Sequence, residues 1–188
     1  MLVNNYLDMD GLVCISADHY GGAVQATEYL CKLGHCKIGL LSGRFSPQVS
    51  EARIEGFVKT LAKYDIPVDD RFIADIEPAL EDGEEIMTRM LREVDRPTAF
   101  FCTNDTIAAG AMKAVTRAGL RVPEDIAIIG FDDSYISRVV EPELTTVRID
   151  AAKMGCLAMQ TLFDLIAGMP VEKAHIQIPT ELIVRGTA

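Results

Sequence analysis

The sequence predicts an α/β protein built on parallel sheet, and three observations predict it. Apolar blocks of strand length alternate with amphipathic helical patterns along the 188 residues, which is how a parallel sheet with crossover helices reads in sequence. The strand blocks Ile38 to Leu41, Thr98 to Cys102 and Ile126 to Phe131 are apolar almost throughout. The last of them runs straight into Asp132-Asp133, and carboxylates beyond the carboxyl edge of a parallel strand sit where open α/β sheets bind ligands.

Each element carries its own signals. In the first helical stretch Ala23, Ala26, Thr27, Leu30 and Leu33 recur at helical spacing, and Gly34 supplies a left-handed stop before the strand at Ile38. The second helix takes Ser50 as its N-cap and puts Ile54, Phe57, Val58, Leu61 and Ala62 on one face, ending at the turn Asp65-Ile66-Pro67. Phe72 to Ile76 reads as a strand. The third helix carries Ile86, Met87, Met90, Leu91 and Val94, and Pro97 closes it. From about Asp105 to Ala118 a helix rich in Ala and Gly is slim enough to lie close against a sheet, and Gly119 ends it. The last helix shows Met154, Leu157, Ala158, Thr161, Leu162 and Leu165 at helical spacing, with Gly168 and Pro170 as stops. Ile176 to Val184 finishes the chain as one strand.

Composition narrows the function classes. Hydrophobic residues make up 49% of the chain, ample for a buried core in one domain or two small lobes. Eighteen Lys plus Arg against 28 Asp plus Glu give a net charge of -10, the opposite of a phosphate-neutralising footprint, so these residues alone are not expected to bind DNA. No apolar run approaches bilayer length, and the opening MLVNNYLDMD lacks the basic and apolar regions of a signal peptide, so a cytoplasmic protein is expected. Cys14, Cys31, Cys36, Cys102 and Cys156 are odd in number and form no CxxC pair, which points to reduced, packing cysteines. His19, His35 and His175 are too dispersed for a metal site, so structural roles are expected of them, and no cofactor is expected. GxSxG, P-loop and GxGxxG patterns are absent, and no catalytic residue is assigned.

The segments ADHYGGAVQATEYLCKLGH, IGLLSG, SEARIEGF, RPTAFFCTNDTIAAGAMKA, GLRVPEDIAIIGFDD, PELTTVRID and TELIVRGTA resemble, in order and spacing, the LacI/GalR family of transcriptional regulators over roughly residues 12 to 188. The resemblance implies a two-lobed type I periplasmic-binding-protein-like fold, with parallel sheets flanked by helices and the effector in the cleft. Residues 1–34 and 149–173 would form a partial DNA-proximal lobe, and residues 35–148 and 174–188 the distal lobe, with crossings near His35, Thr146 and Lys173. The near lobe is then incomplete and the DNA-binding head absent.

The resemblance also assigns ligand contacts. Arg53 matches the family arginine that grips ligand hydroxyls, and its fork of donors suits a vicinal diol; a surface salt bridge is the bland use of such a residue. Asp132 matches the ligand-contacting acid, with Asp133 read as turn. Asn104 matches a ligand contact, whereas Asp105 is expected to cap the helix. Ser46, Asp18 and Tyr20 are further candidates, each with turn or capping chemistry as the plainer use. Ile76 stands where the family often places an aromatic ring, which points toward a ligand smaller, less planar or more apolar than a typical hexose.

The function so implied is effector sensing and homodimerisation in a LacI-type DNA-binding regulator, with a sugar or related metabolite as ligand and operator DNA met only through the absent head. The Ala-rich helix with the Val139, Val140 and Leu144 region is expected to supply apolar surface to the dimer, unless these residues pack in the core. Alternatives are a solute-binding protein of a transporter, which five cysteines ill suit, and an enzyme that borrows the fold.

Overall fold

The structure is a computed structural model that describes residues 1–7, 9–170 and 174–188. It is α/β, with two mostly parallel sheets. The smaller holds β1 (Leu2–Val3), β2 (Cys14–Ala17) and β8 (His175–Ile178), all parallel, in the order β1-β2-β8. The larger has the order β4-β3-β5-β6-β7-β9, from β3 (Ile38–Gly43), β4 (Ile73–Ile76), β5 (Ala99–Cys102), β6 (Ala127–Asp132), β7 (Thr145–Arg148) and β9 (Glu181–Ile183). Among the described residues β9 alone runs antiparallel there, against β7.

Strand alternation divides the larger core into two layers. Phe101, Ile129 and Phe131 point to one face, where Ala23, Ala26 and Leu30 of α1 (His19–Lys32) and Phe57 and Leu61 of α2 (Pro47–Lys63) cover them. Phe100, Cys102 and Ile128 point to the other, under Met87 of α3 (Leu80–Met90) and Ile107, Ala111 and Val115 of α4 (Asp105–Arg117). The small residues of α4 act as expected: a Cβ on Gly110 would collide with the Leu80 carbonyl, so α3 and α4 touch backbone to backbone. The short α5 (Ile136–Val139) follows β6, and α6 (Ala151–Ile166) lays Met154 and Ala158 on Ile15, Ala17 and Ile178 of the smaller sheet.

These pairings move the expected crossings. Helix α1 lies on the larger sheet, so the chain leaves the smaller sheet at Asp18 rather than at His35. Helical periodicity defines an apolar face but not the sheet it will meet. Thr146 is inside β7, and the chain returns only after Arg148. Lys173 lies outside the described residues. The following β8 still pairs with β2, so the third crossing falls at Pro179-Thr180, where the single expected strand Ile176 to Val184 breaks into β8 and β9.

Local corrections are few. Helix α2 starts at Pro47 with Ser46 in the cap position, and Ser50 is already helical. Its hydroxyl instead ties the preceding loop, donating to the Gly43 carbonyl and accepting from the Phe45 N–H, each at 3.1 Å. Cys14, Cys31 and Cys102 are buried as packing cysteines, but Cys36 and Cys156 are exposed. Leu144 is fully buried among the α4 side of the core, whereas Val139 is exposed.

Candidate ligand-binding site

Arg53, in the second turn of α2, is only 3% exposed, and its surroundings are those of an anchored donor rather than a surface salt bridge. Its Nη1 donates to the Thr103 carbonyl just past β5. Its Nη2 lies 3.2 Å from His19 Nδ1 and 3.3 Å from Asp132 Oδ1. The Phe131 ring centroid is 3.9 Å from the guanidinium carbon and that of Phe45 is 5.0 Å away. Planar contact with ring faces and charge-assisted hydrogen bonds together offset part of the cost of burying this cation. Burial still weighs most, pushing its pKa down against the pull of Asp132.

Asp132 closes β6 with φ of 109°, a left-handed backbone that turns its carboxylate across the sheet edge toward Arg53. Burial raises the carboxyl to about 6, Arg53 lowers it, and Asp105 raises it again. About a third of the side chain stays exposed, 34%. Asp133, next in the chain, is fully engaged. It accepts from Arg185 Nη2 at 2.5 Å, Arg148 Nε at 2.7 Å and Ser137 Oγ at 3.0 Å. Burial would raise it, but the Arg185, Arg148 and Ser137 hydrogen bonds outweigh burial and hold it at about 2. The turn reading of Asp133 was too modest, for it knots β6, β7 and the final segment together.

Asn104 and Asp105 exchange their expected roles in part. Asn104 is the N-cap of α4, its Oδ1 accepting from the Ile107 N–H at 2.8 Å. Asp105 is not the cap. It sits buried in the first turn, accepting from Thr146 Oγ1 at 2.5 Å and from the Ser134 N–H at 2.6 Å. Burial raises its pKa in spite of those bonds.

Asp18 caps α1, taking the Gly21 N–H at 2.8 Å, and thereby sets His19 beside Arg53. Ser46 donates to Asn5 Oδ1 at 2.9 Å, a bond that joins the loop after β3 to the segment after β1 across the two sheets. Tyr20 lines a cavity together with His19 and Tyr6. Ile76 lies apart, packed on the α3–α4 core and lining a surface hollow with Asp75, Asp82 and Arg89.

Sequence reasoning missed Phe45, Asn5 and Thr103 and read His19 as structural. Phe45 and Asn5 lie in loops with no periodicity to betray a facing direction, and Thr103 acts through its backbone. For His19 the usable signal was its place directly after a capping Asp. Burial and then the Arg53 charge lower the His19 imidazole to about 3, so it is neutral. Among the described residues the buried side-chain atoms without a hydrogen-bond partner are His19 Nε2, Arg53 Nε and Ser42 Oγ. Two of these three belong to this one cluster, which holds buried polar capacity that the protein itself leaves unused. No group of three or more His, Cys, Asp or Glu among the described residues is placed to hold a metal ion.

At the carboxyl ends of β5 and β6 a buried arginine, a carboxylate one third exposed and a capping amide lie together, at the sheet edge where open α/β folds commonly bind ligands. The chain belongs to the periplasmic binding protein-like domain family, whose profile matches residues 27–188, in the form carried by LacI-family regulators. It is 38% identical over 174 residues to the transcriptional repressor PurR of Pasteurella multocida, covering 91% of this chain and 52% of that protein. A LacI-family regulatory protein of Chloroflexus aggregans superposes with a TM-score of 0.92 at 31% identity, over 99% of this chain and 66% of that one. The regulator CelR in complex with cellobiose gives a TM-score of 0.88 at 28% identity, over 94% of this chain and 54% of that one. The chain thus spans about half the length of the curated relatives it matches. Those relatives bear the names of transcriptional repressors.

Proposed function

We propose that this chain is the effector-sensing and dimerising part of a LacI-type DNA-binding regulator, taking a sugar or related metabolite at Arg53, Asp132 and Asn104. The observation that carries the reading is Arg53 itself: a guanidinium buried against Phe131, with Asp132 one third exposed beside it and its Nε unpartnered. A donor fork next to an acceptor is what a hydroxyl pair needs, each charged hydrogen bond contributing about 1.5–3 kcal/mol. The cellobiose bound by CelR supports the ligand class.

A ligand at these larger-sheet residues that also touched the smaller sheet would favour one arrangement of the two, and that differential affinity would alter operator binding by a DNA head in the full protein. The Ser46–Asn5 bond is one contact that such a rearrangement would break or keep. In this reading DNA contact, a cytoplasmic location and the lack of catalysis follow from the repressor role. The homodimer face is the apolar hollow of Leu80, Ala109, Met112 and Val140, rimmed by Lys113 and Arg117. Val139 extends it, and the buried Leu144 does not.

Titration calorimetry with a panel of neutral monosaccharides and disaccharides tests the ligand site. Saturable binding that weakens on Asp132→Asn supports it, and binding unchanged by that substitution refutes the assignment. For the dimer, sedimentation should show a two-chain species that Met112→Asp converts to one chain.

A further inference from the structure

Asp132 and Asp133 both hold left-handed backbone, with φ of 109° and 51°. Residues with side chains rarely stay in such a turn unless something outside it fixes them. The N–H groups that follow Asp132 show what fixes this one. That of Ser134 donates to Asp105 Oδ2 at 2.6 Å, and that of Asp133 donates to Thr146 Oγ1 at 3.4 Å. Thr146 Oγ1 passes the bond on, donating to Asp105 Oδ1 at 2.5 Å. Both arms therefore end on one carboxylate, which stands on a different element, in the first turn of α4.

The fold makes room for that carboxylate. A Cβ on Gly130 of β6 would collide with Asp105 Oδ1, so the strand offers bare backbone where Asp105 reaches across. Asp105 is 2% exposed and Thr146 fully buried, so water competes for neither bond. Asn104 has taken the N-cap of α4, which leaves both Asp105 oxygens free of capping. The Asp133 carboxylate also ties the turn, to Arg185 and Arg148, but through its side chain. The two peptide planes after Asp132 are set instead by Thr146 and Asp105.

We infer that Asp105 is a positioning residue for the ligand site: it latches the turn after β6 and so aims the Asp132 carboxylate at Arg53. The inference rests on the reading that Asp132 and Arg53 contact the ligand, and Asp105 acts only through Asp132. Charge links the same residues, since Asp105 raises the Asp132 carboxyl and favours the Arg53 cation, while Asp133 raises Asp105. Latch and charge part company in Asp105→Asn, which keeps an oxygen for the Ser134 N–H and an amide for Thr146 Oγ1 but carries no charge.

The test has two readouts. The first needs no ligand: nitrogen-15 spectroscopy of the Arg53 guanidinium, with the change produced by Asp132→Ala as the signature of a broken Asp132–Arg53 pair. Asp105→Ala and Thr146→Val should reproduce that signature, and Asp105→Asn should not. Thr146→Val cuts one arm while the Asp105 charge stays, and decides the matter where Asp105→Ala does not fold. The second readout is calorimetric titration with the tightest binder among D-glucose, D-xylose and cellobiose. Affinity should fall about tenfold in Asp105→Ala, stay within about twofold in Asp105→Asn, and change by less than about twofold when Asp105→Ala is added to Asp132→Ala. An Arg53 signal unmoved in both latch variants overturns the inference even if no sugar binds, a result that by itself counts only against the ligand reading. Equal losses in Asp105→Ala and Asp105→Asn, or a further tenfold loss in the Asp132→Ala background, would overturn it as well.

Discussion

Asp132 and Asp133 are consecutive, and both hold left-handed backbone, with φ of 109° and 51°. Their carboxyls nevertheless move in opposite directions, one raised to about 6 and the other held at about 2. The difference lies in what surrounds them. Asp133 meets Arg185, Arg148 and Ser137, and all of its acceptor capacity is used within the protein. Asp132 meets a single arginine at 3.3 Å, is close enough to Asp105 to feel its charge, and keeps a third of its side chain open. A carboxylate consumed by its own fold is structural, and one left short of donors is available to a ligand.

The contrast is sharpest when each group is removed. Asp133→Ala strands Arg185, whose side chain is 11% exposed, and unties β6 from β7; it should cost about 3–5 kcal/mol in urea unfolding. A loss under about 1 kcal/mol would break the structural reading. Arg53→Ala comes next. It empties the space against Phe131 and Phe45 and frees the Thr103 carbonyl, so about 2–4 kcal/mol of stability should go with ligand affinity. Arg53 is therefore a poor position for separating binding from folding. Asp132→Asn is the better one, since burial already disfavours its charge; stability at neutral pH should change by about 1 kcal/mol or less.

The pH dependence of stability should carry both signs. Asp133, lowered from 3.8 to about 2, contributes stability that is present above pH ~4 and lost as pH falls toward 2, worth about 2 kcal/mol. Asp132, raised, contributes stability that is full below pH ~4 and lost as pH rises through about 6. Urea midpoints across this range in the wild type and in the two Asn variants separate the contributions. Asp132→Asn should remove the loss between pH 4 and 6, and Asp133→Asn the loss below 4.

The same pair shows what sequence makes legible. Apolar strand blocks ending in carboxylates gave away the sheet and the edge where Asp132 sits, because strand composition and burial are local properties. Resemblance to a regulator family picked out Arg53 and Asp132, which the structure brings within one hydrogen bond of each other. It did not reveal that Asn104 spends its oxygen on a cap, or that Asp105 is sequestered by Thr146 from 41 residues away. Such partners depend on which strands become neighbours. The crossing at Asp18 was hidden for the same reason: the Ala23–Leu30 stripe fits either sheet until Phe57, Phe101 and Phe131 are placed under it. His19 and Phe45 derive their roles wholly from Arg53 and could not be read before it was located.

The central claim is that the Arg53–Asp132 pair binds a neutral hydroxylated effector through an ionised Asp132. The most direct measurement is calorimetric titration of the tightest-binding sugar at neutral pH and near pH 5, in the wild type and in Asp132→Asn. The account predicts affinity about tenfold or more lower in Asp132→Asn at neutral pH, and a fall toward that value in the wild type as Asp132 protonates below about 6. Affinity that is equal in both proteins, or independent of pH in the wild type, would contradict it.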